Sequence, residues 1–194
     1  APAGESRGAG AAASGAESRG DWERALGTLT HGLVELRIRA DRKGGSADPD
    51  PTWVAGLFRE SDPAPALAEA REMANRFFAG EQWRRMSALE RLETELSVLA
   101  AYDHPELGEL LIQSQFDLYA EGDGWCEIVD FKTDRALEPS NYLYQLSLYA
   151  YAAGELSGLP VRLTLFGLRD GSAAKLAPLQ MTEMDALLSA YVIG

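Results

Sequence analysis

A single cysteine, Cys126, occurs among 194 residues, so the chain's own residues can form neither an internal disulfide nor a cysteine-ligated cluster. Cations are also scarce: 18 Lys and Arg stand against 30 Asp and Glu, a formal net charge of −12. Non-specific affinity for nucleic acid comes mainly from cations displacing counterions from phosphates, and this balance opposes it. No apolar run is long enough to cross a bilayer, and the Ala/Gly-rich start lacks the apolar centre of a signal peptide, so a soluble, cytoplasmic protein with no membrane attachment is expected. A G-x-x-x-x-G-K-[ST] phosphate loop is missing, as is an initiator methionine; any ATP site is expected outside these residues, in a longer polypeptide of which this is a segment. What remains, 46% hydrophobic and 25% charged residues, suits one globular domain with a sizeable core.

Residues 1–20 are Gly, Ala and Ser with scattered charge and read as a flexible linker or tail; residues 21–194 read as the domain. Asp21 is placed to cap a helix to about Ala40 through Trp22, Leu26, Leu29, Leu33 and Leu36, with His31 inside it. A polar loop (Ala40 to Thr52) leads to further helical spacing, with Pro63 or Pro65 at a start and Gly80 at a stop. Arg71, Arg76, Arg84, Arg85 and Arg91 make these helices locally basic and are together the best phosphate-tracking surface in the chain, although any one of them reads as part of a solvated face.

Two strands follow, Glu93 to Tyr102 and Gly108 to Ala120, then EGDG (Glu121 to Gly124) as a hairpin loop, and then WCEIVDFK. Side chains alternate along a strand, so Asp130 and Lys132 project together while Phe131 points into whatever covers the other face. With a four-residue loop, Ala120 pairs with Trp125 and Asp117 falls opposite Ile128, on the face of Asp130 and Lys132 and diagonal to Asp130. Two carboxylates with an ammonium are costly inside a core unless they are paired or hold a metal; the bland alternative is a solvated face carrying a Lys–Asp pair. Pro139 and Ser140 then open a helix closed by Gly154 or Gly158, on which Gln145 and Tyr149 share a face. A strand (Pro160 to Leu168) and a helix capped by Thr182 end the chain.

The set Asp117, Asp130-x-Lys132 and Gln145-Leu-Ser-Leu-Tyr149 resembles the PD-(D/E)XK nucleases of the RecB type, especially the C-terminal nuclease domain of AddA and RecB helicase chains, over roughly Gly27 to Gly171. Gly27, His31 and Glu35 resemble that group's G-x-x-x-H-x-x-x-E opening. Glu95 resembles the glutamate of its E-x-P-F segment, with Glu93 as a rival because Ser97-Val98 replaces Pro-Phe, and Ser114-Gln115 stands where Gly-Arg usually precedes the aspartate. The resemblance implies an α/β fold with a restriction-endonuclease-like core, a central mixed β-sheet of four or five strands flanked by α-helices. It implies metal-dependent hydrolysis of DNA, with Mg²⁺ or Mn²⁺ held by His31, Asp117, Asp130 and the Phe131 backbone carbonyl. Lys132 would orient the attacking water, Glu95 would add to the acidic site, and Gln145 and Tyr149 would hold the lysine or a phosphate oxygen. The single cysteine places the chain with the cluster-free branch, without an iron–sulfur cluster. The implied partners are single-stranded DNA delivered by a helicase motor and a second subunit of an AddAB- or RecBCD-like complex, with ATP used only in the motor. Two other readings are a nuclease-like module that has lost catalysis and guides the strand, and an RNA-processing or restriction-type endonuclease, which the Gln145/Tyr149 helix disfavours.

Overall fold

The computed structural model describes residues 9–59 and 61–193, which divide into two units, Ala1–Glu72 and Met73–Gly194. In the first, α1 (Ala9–Lys43) buries Leu26, Leu29 and Leu33 together with Val34 and Ile38. The helix begins well before Asp21, which forms an ion pair with Arg24 within the helix instead of capping it. Alanine is the best helix former, and the Ala-rich stretch from Ala9 contains no proline to stop propagation. Residues 1–8 of the expected linker lie outside the described residues. Asp50 caps α2 (Pro51–Leu57) by accepting from the Thr52 amide at 2.7 Å, with Pro51 at the first helical position. Gly32 of α1 is required by packing: a Cβ there would stand 2.4 Å from the Trp53 ring. Asp62 accepts from the Ala64 amide at the start of α3 (Ala64–Ala79).

The second unit is a five-stranded sheet in the order β1-β2-β3-β4-β5. β1 (Arg91–His104), β2 (Gly108–Gly122) and β3 (Trp125–Lys132) form an antiparallel meander, β4 (Val161–Gly167) runs parallel to β3, and β5 (Ala173–Leu176) closes the edge antiparallel to β4. The parallel pair needs a crossover. It is made by a 3-10 turn at Pro139–Asn141 and α5 (Leu143–Ser157), which ends on Gly158 in the left-handed region at φ 67°. The short edge strand β5 was not expected, since AAKL carries no alternating pattern.

The sheet is covered on both faces. Ala150, Ala152 and Ala153 of α5 let the helix approach Cys126, Ile128, Leu163 and Leu165 closely. On the other face Phe77, in the C-terminal turns of α3, meets Phe131 edge-on at 4.8 Å and Phe166 at 5.2 Å. α4 (Glu81–Met86) follows and brings Gln82 and Arg85 to the buried Glu127. α6 (Met181–Ile193) packs Met184 and Leu188 against Tyr102 and Ile112. Its cap is Gln180, not Thr182: Glu183 reaches back to the Gln180 amide at 2.8 Å, half of a capping box.

The expected β2–β3 loop is corrected. The turn residues are Asp123 and Gly124 alone, both at positive φ (54° and 78°), with Gly122 paired to Trp125. An Asp-Gly pair at two positive φ values suits a primed turn, whose twist matches the strands better than a four-residue loop would. The register moves by two residues, so Tyr119, not Asp117, faces Ile128.

Candidate functional site

Three strands carry the acidic residues, and the ladder lines them up. Thr94 faces Leu118 and Leu96 faces Phe116, so Glu95 and Asp117 stand abreast. Leu118 faces Val129, and one step along that register brings Asp117 abreast of Asp130. β2 pairs with β1 along most of its length but with β3 only from Leu118 to Gly122. The row Glu95, Asp117, Asp130 therefore lies where β2 and β3 part.

Alternation breaks at this row. Phe116 and Tyr119, three residues apart, join the same buried cluster, which strict period-two alternation forbids. On the neighbouring strand Glu95 has φ 52°, a left-handed backbone in a non-glycine residue, a conformation that costs on the order of 1–3 kcal/mol and collects at functional sites. Asp117 consequently turns toward the fork, where its Oδ2 accepts from the Phe131 amide at 2.7 Å. Gln115 donates to Glu95 Oε2 at 2.6 Å, and carboxylate oxygens of Glu95 and Asp117 lie within 4.8 Å of each other. Glu93 instead pairs with Arg91 at 2.5 Å and faces Tyr119, so it is Glu95 that stands beside Asp117.

Asp130 is 5% exposed and its Oδ2 lies 2.6 Å from Lys132 Nζ, on a side chain 20% exposed. The backbone of Lys132 is pinned by the Leu168 amide donating to its carbonyl at 2.8 Å, and Arg169 Nε donates to the carbonyl of Thr133 at 2.5 Å. Gln145 and Tyr149 share a helix face as expected, but Gln145 Nε2 donates to the Tyr149 hydroxyl at 3.0 Å, and neither is seen holding the lysine. At four-residue spacing the two side chains reach each other first. Burial pushes the Tyr149 phenol up, the Asp130 and Asp117 charges add to this, and the bonds from Gln145 and the Gln115 main chain oppose it, leaving the group raised. Tyr149 is thus a neutral hydroxyl beside the carboxylates.

Reasoning from the sequence missed Tyr142 and Gln115. Tyr142, three residues before Gln145, places its ring under Lys132 Nζ at 4.8 Å from the centroid; its helical spacing to Gln145 was the available signal. The arginines read as phosphate-tracking are largely engaged elsewhere. Arg71 pairs with Asp48, Arg85 with Glu127, and Arg91 with Glu93 and Glu121, while Arg76 donates to the Leu168 carbonyl. Arg84 is exposed on α4. His31 lies on α1 in the first unit and is half-buried.

The donor set fits a hard divalent cation. Carboxylate oxygens of Glu95 and Asp117 lie within 4.8 Å of each other, and two like charges at that range repel by about 1 kcal/mol in water and about 4 kcal/mol in a medium of lower dielectric. Oxygen donors of this kind suit Mg²⁺ and Mn²⁺.

No curated protein matches the chain. Among solved structures, the candidate exonuclease from Eubacterium rectale superposes with a TM-score of 0.51 at 11% identity, over 87% of this chain and 64% of that one. The chain thus spans less than two thirds of that protein's length. SSO0001 superposes with a TM-score of 0.44 at 12% identity over 85% of this chain and 74% of that one. VC1899 from Vibrio cholerae gives 0.35 at 14% over 87% and 50%. At this identity the first likeness speaks to fold alone. Sequence carries the rest: residues 7–192 match the PD-(D/E)XK nuclease superfamily, and with the acidic row and the Asp-x-Lys pair on adjoining strands, the chain belongs to that superfamily.

Proposed function

We propose that this chain is the nuclease part of a RecB-type exonuclease, akin to the C-terminal domain of AddA and RecB chains, which hydrolyses DNA phosphodiester bonds with Mg²⁺ or Mn²⁺. It would act beside a helicase motor and a partner subunit in processing double-strand breaks for recombinational repair. The observation that carries this reading is the row Glu95, Asp117, Asp130 with the Lys132 ammonium 2.6 Å from its last member.

Asp117, Asp130 and the Phe131 carbonyl, joined by Glu95, would hold the ion. Once bound, it would supply Lewis acidity, offsetting charge that builds on the phosphate and acidifying water. The chain's own groups do the positioning. Asp130 keeps the Lys132 ammonium at the acidic row, where it can donate to the attacking water or to a non-bridging phosphate oxygen and offset negative charge in the transition state. Gln145 is exposed, so its amide can turn to a phosphate oxygen, with Tyr149 as its neutral support.

Lys132→Ala and Asp130→Ala should each lower cleavage of end-labelled single-stranded DNA, at low salt with Mg²⁺ or Mn²⁺, by roughly 100-fold or more. In the parent enzyme both variants should leave ATP hydrolysis and unwinding intact. Retained cleavage in either would put the chemistry elsewhere. The charge of −12 and the Ser114-Gln115 pair favour the second reading, a strand-guiding module without catalysis. Wild-type protein that binds strand ends but cleaves at no salt concentration would establish it.

A further inference from the structure

Lysine is a flexible side chain with three donors, and a compact ammonium needs more than one fixed contact to hold a single position. Lys132 Nζ has the Asp130 carboxylate at 2.6 Å and the face of Tyr142 at 4.8 Å from the ring centroid, within the range of a cation–π contact. The ring is itself held. Tyr142 precedes the first turn of α5, accepts the Leu146 amide at its carbonyl at 2.9 Å, and packs against the cluster that α5 shares with the sheet. Its hydroxyl donates to Asp134 Oδ2 at 2.9 Å, two residues beyond Lys132 on the same chain segment. A phenol that donates to a carboxylate gains electron density, which makes its face a better partner for a cation. Burial, with the Asp134 and Asp130 charges, pushes this phenol up to about 12, so it keeps its proton through the neutral range.

We propose that Tyr142 is a positioning residue that holds the Lys132 ammonium at the acidic row through its ring face, so that the lysine stays in place when the carboxylates are engaged by another cation. The inference deepens the nuclease reading above and rests on it for the role of Lys132, but the contact can be read without cleavage. The sequence holds three lysines, Lys43, Lys132 and Lys175, so protein labelled with ¹³C,¹⁵N-lysine gives three ε-methylene signals, and Lys132→Arg assigns one. Shielding by the ring should set the Lys132 signal upfield of the other two. Tyr142→Phe should keep it there, and Tyr142→Leu should return it among them. A Lys132 signal that coincides with the others in wild-type protein, or that ignores Tyr142→Leu in a variant melting normally, overturns the contact.

The positioning role is read by placing phenylalanine and its mono-, di- and trifluorinated forms at position 142, which keep the ring's shape while draining its face. Turnover should fall stepwise, by roughly two- to thirty-fold across the series, with KM for the strand and the melting temperature unchanged. A flat series with active wild-type protein overturns the positioning role. Absence of cleavage in wild-type protein as well would count against the nuclease reading, and the lysine signal would still decide the contact.

Discussion

Asp117 serves two ends that pull apart. Its Oδ2 closes the fork by accepting from the Phe131 amide, while its charge faces Glu95 within 4.8 Å. Asn at this position can still accept that amide proton but carries no charge. Asp117→Asn should therefore melt at or slightly above wild type in chelator, a gain of up to about 1 kcal/mol, and should lose most of the stabilisation that Mg²⁺ or Mn²⁺ adds to wild type by mass action. Equal metal-induced shifts in the two proteins would remove Asp117 from any metal site. Glu95 holds a strained backbone. At φ 52° a glycine has no Cβ to clash, a relief expected to exceed its larger loss of backbone entropy, so Glu95→Gly should raise stability in denaturant titrations by up to about 1 kcal/mol while lowering cleavage sharply. A variant that is both less stable and fully active would argue against strain and function alike.

At the scale of elements, the joint between α4 and the sheet is ionic. Glu127, 1% exposed, accepts from Gln82 at 2.7 Å, Thr164 at 2.7 Å and both terminal nitrogens of Arg85. Burial alone would push its carboxyl up; the bonds from Arg85, Thr164 and Gln82 and the Arg85 charge outweigh this and hold it below the ordinary carboxylate range. A depressed folded value means the contribution is fully present above the unfolded value and is lost as pH falls through the folded one. Melts from pH 7 to pH 3 should thus show a loss of stability below about pH 4.5 that is shallower in Glu127→Gln. Identical acid slopes would mean that Glu127 titrates alike in both states. Removing only the cation is the harsher change. Arg85→Ala leaves a buried carboxylate without its partner and should cost roughly 3–5 kcal/mol, more than Glu127→Gln costs at neutral pH.

For the whole molecule, charge sets the terms. With a net −12 and with Arg71, Arg85 and Arg91 each bound to an acidic neighbour, few phosphates can be neutralised at once. Cleavage by this chain alone should fall steeply between 50 and 200 mM salt (on the order of the salt range over which phosphate contacts weaken). A parent enzyme whose motor holds the strand near Asp117 and Asp130 should stay active at salt that silences the chain. Equal salt tolerance at matched concentrations would refute delivery by a motor. Among the described residues no helix is long and apolar enough to cross a membrane.

Much of this was legible locally. Asp130 and Lys132 on one strand, Gln145 and Tyr149 on one helix face, Phe131 turned to the opposite layer and Gly158 as a helix stop each depend on residues a few positions away, where periodicity and capping act. The matched turn chemistry of Asp123-Gly124 was in the sequence too, and only its length was misjudged. What the tertiary structure alone decided was the row itself: Asp117 abreast of Asp130, Glu95 kinked into the left-handed region beside it, Tyr142 beneath Lys132, and the arginines drawn onto Glu127, Glu93 and Glu121. These depend on cross-strand register and on contacts between residues far apart in the chain. Neither hydrophobic period nor residue type encodes them, because each is set by which groups meet after the sheet and α5 have packed.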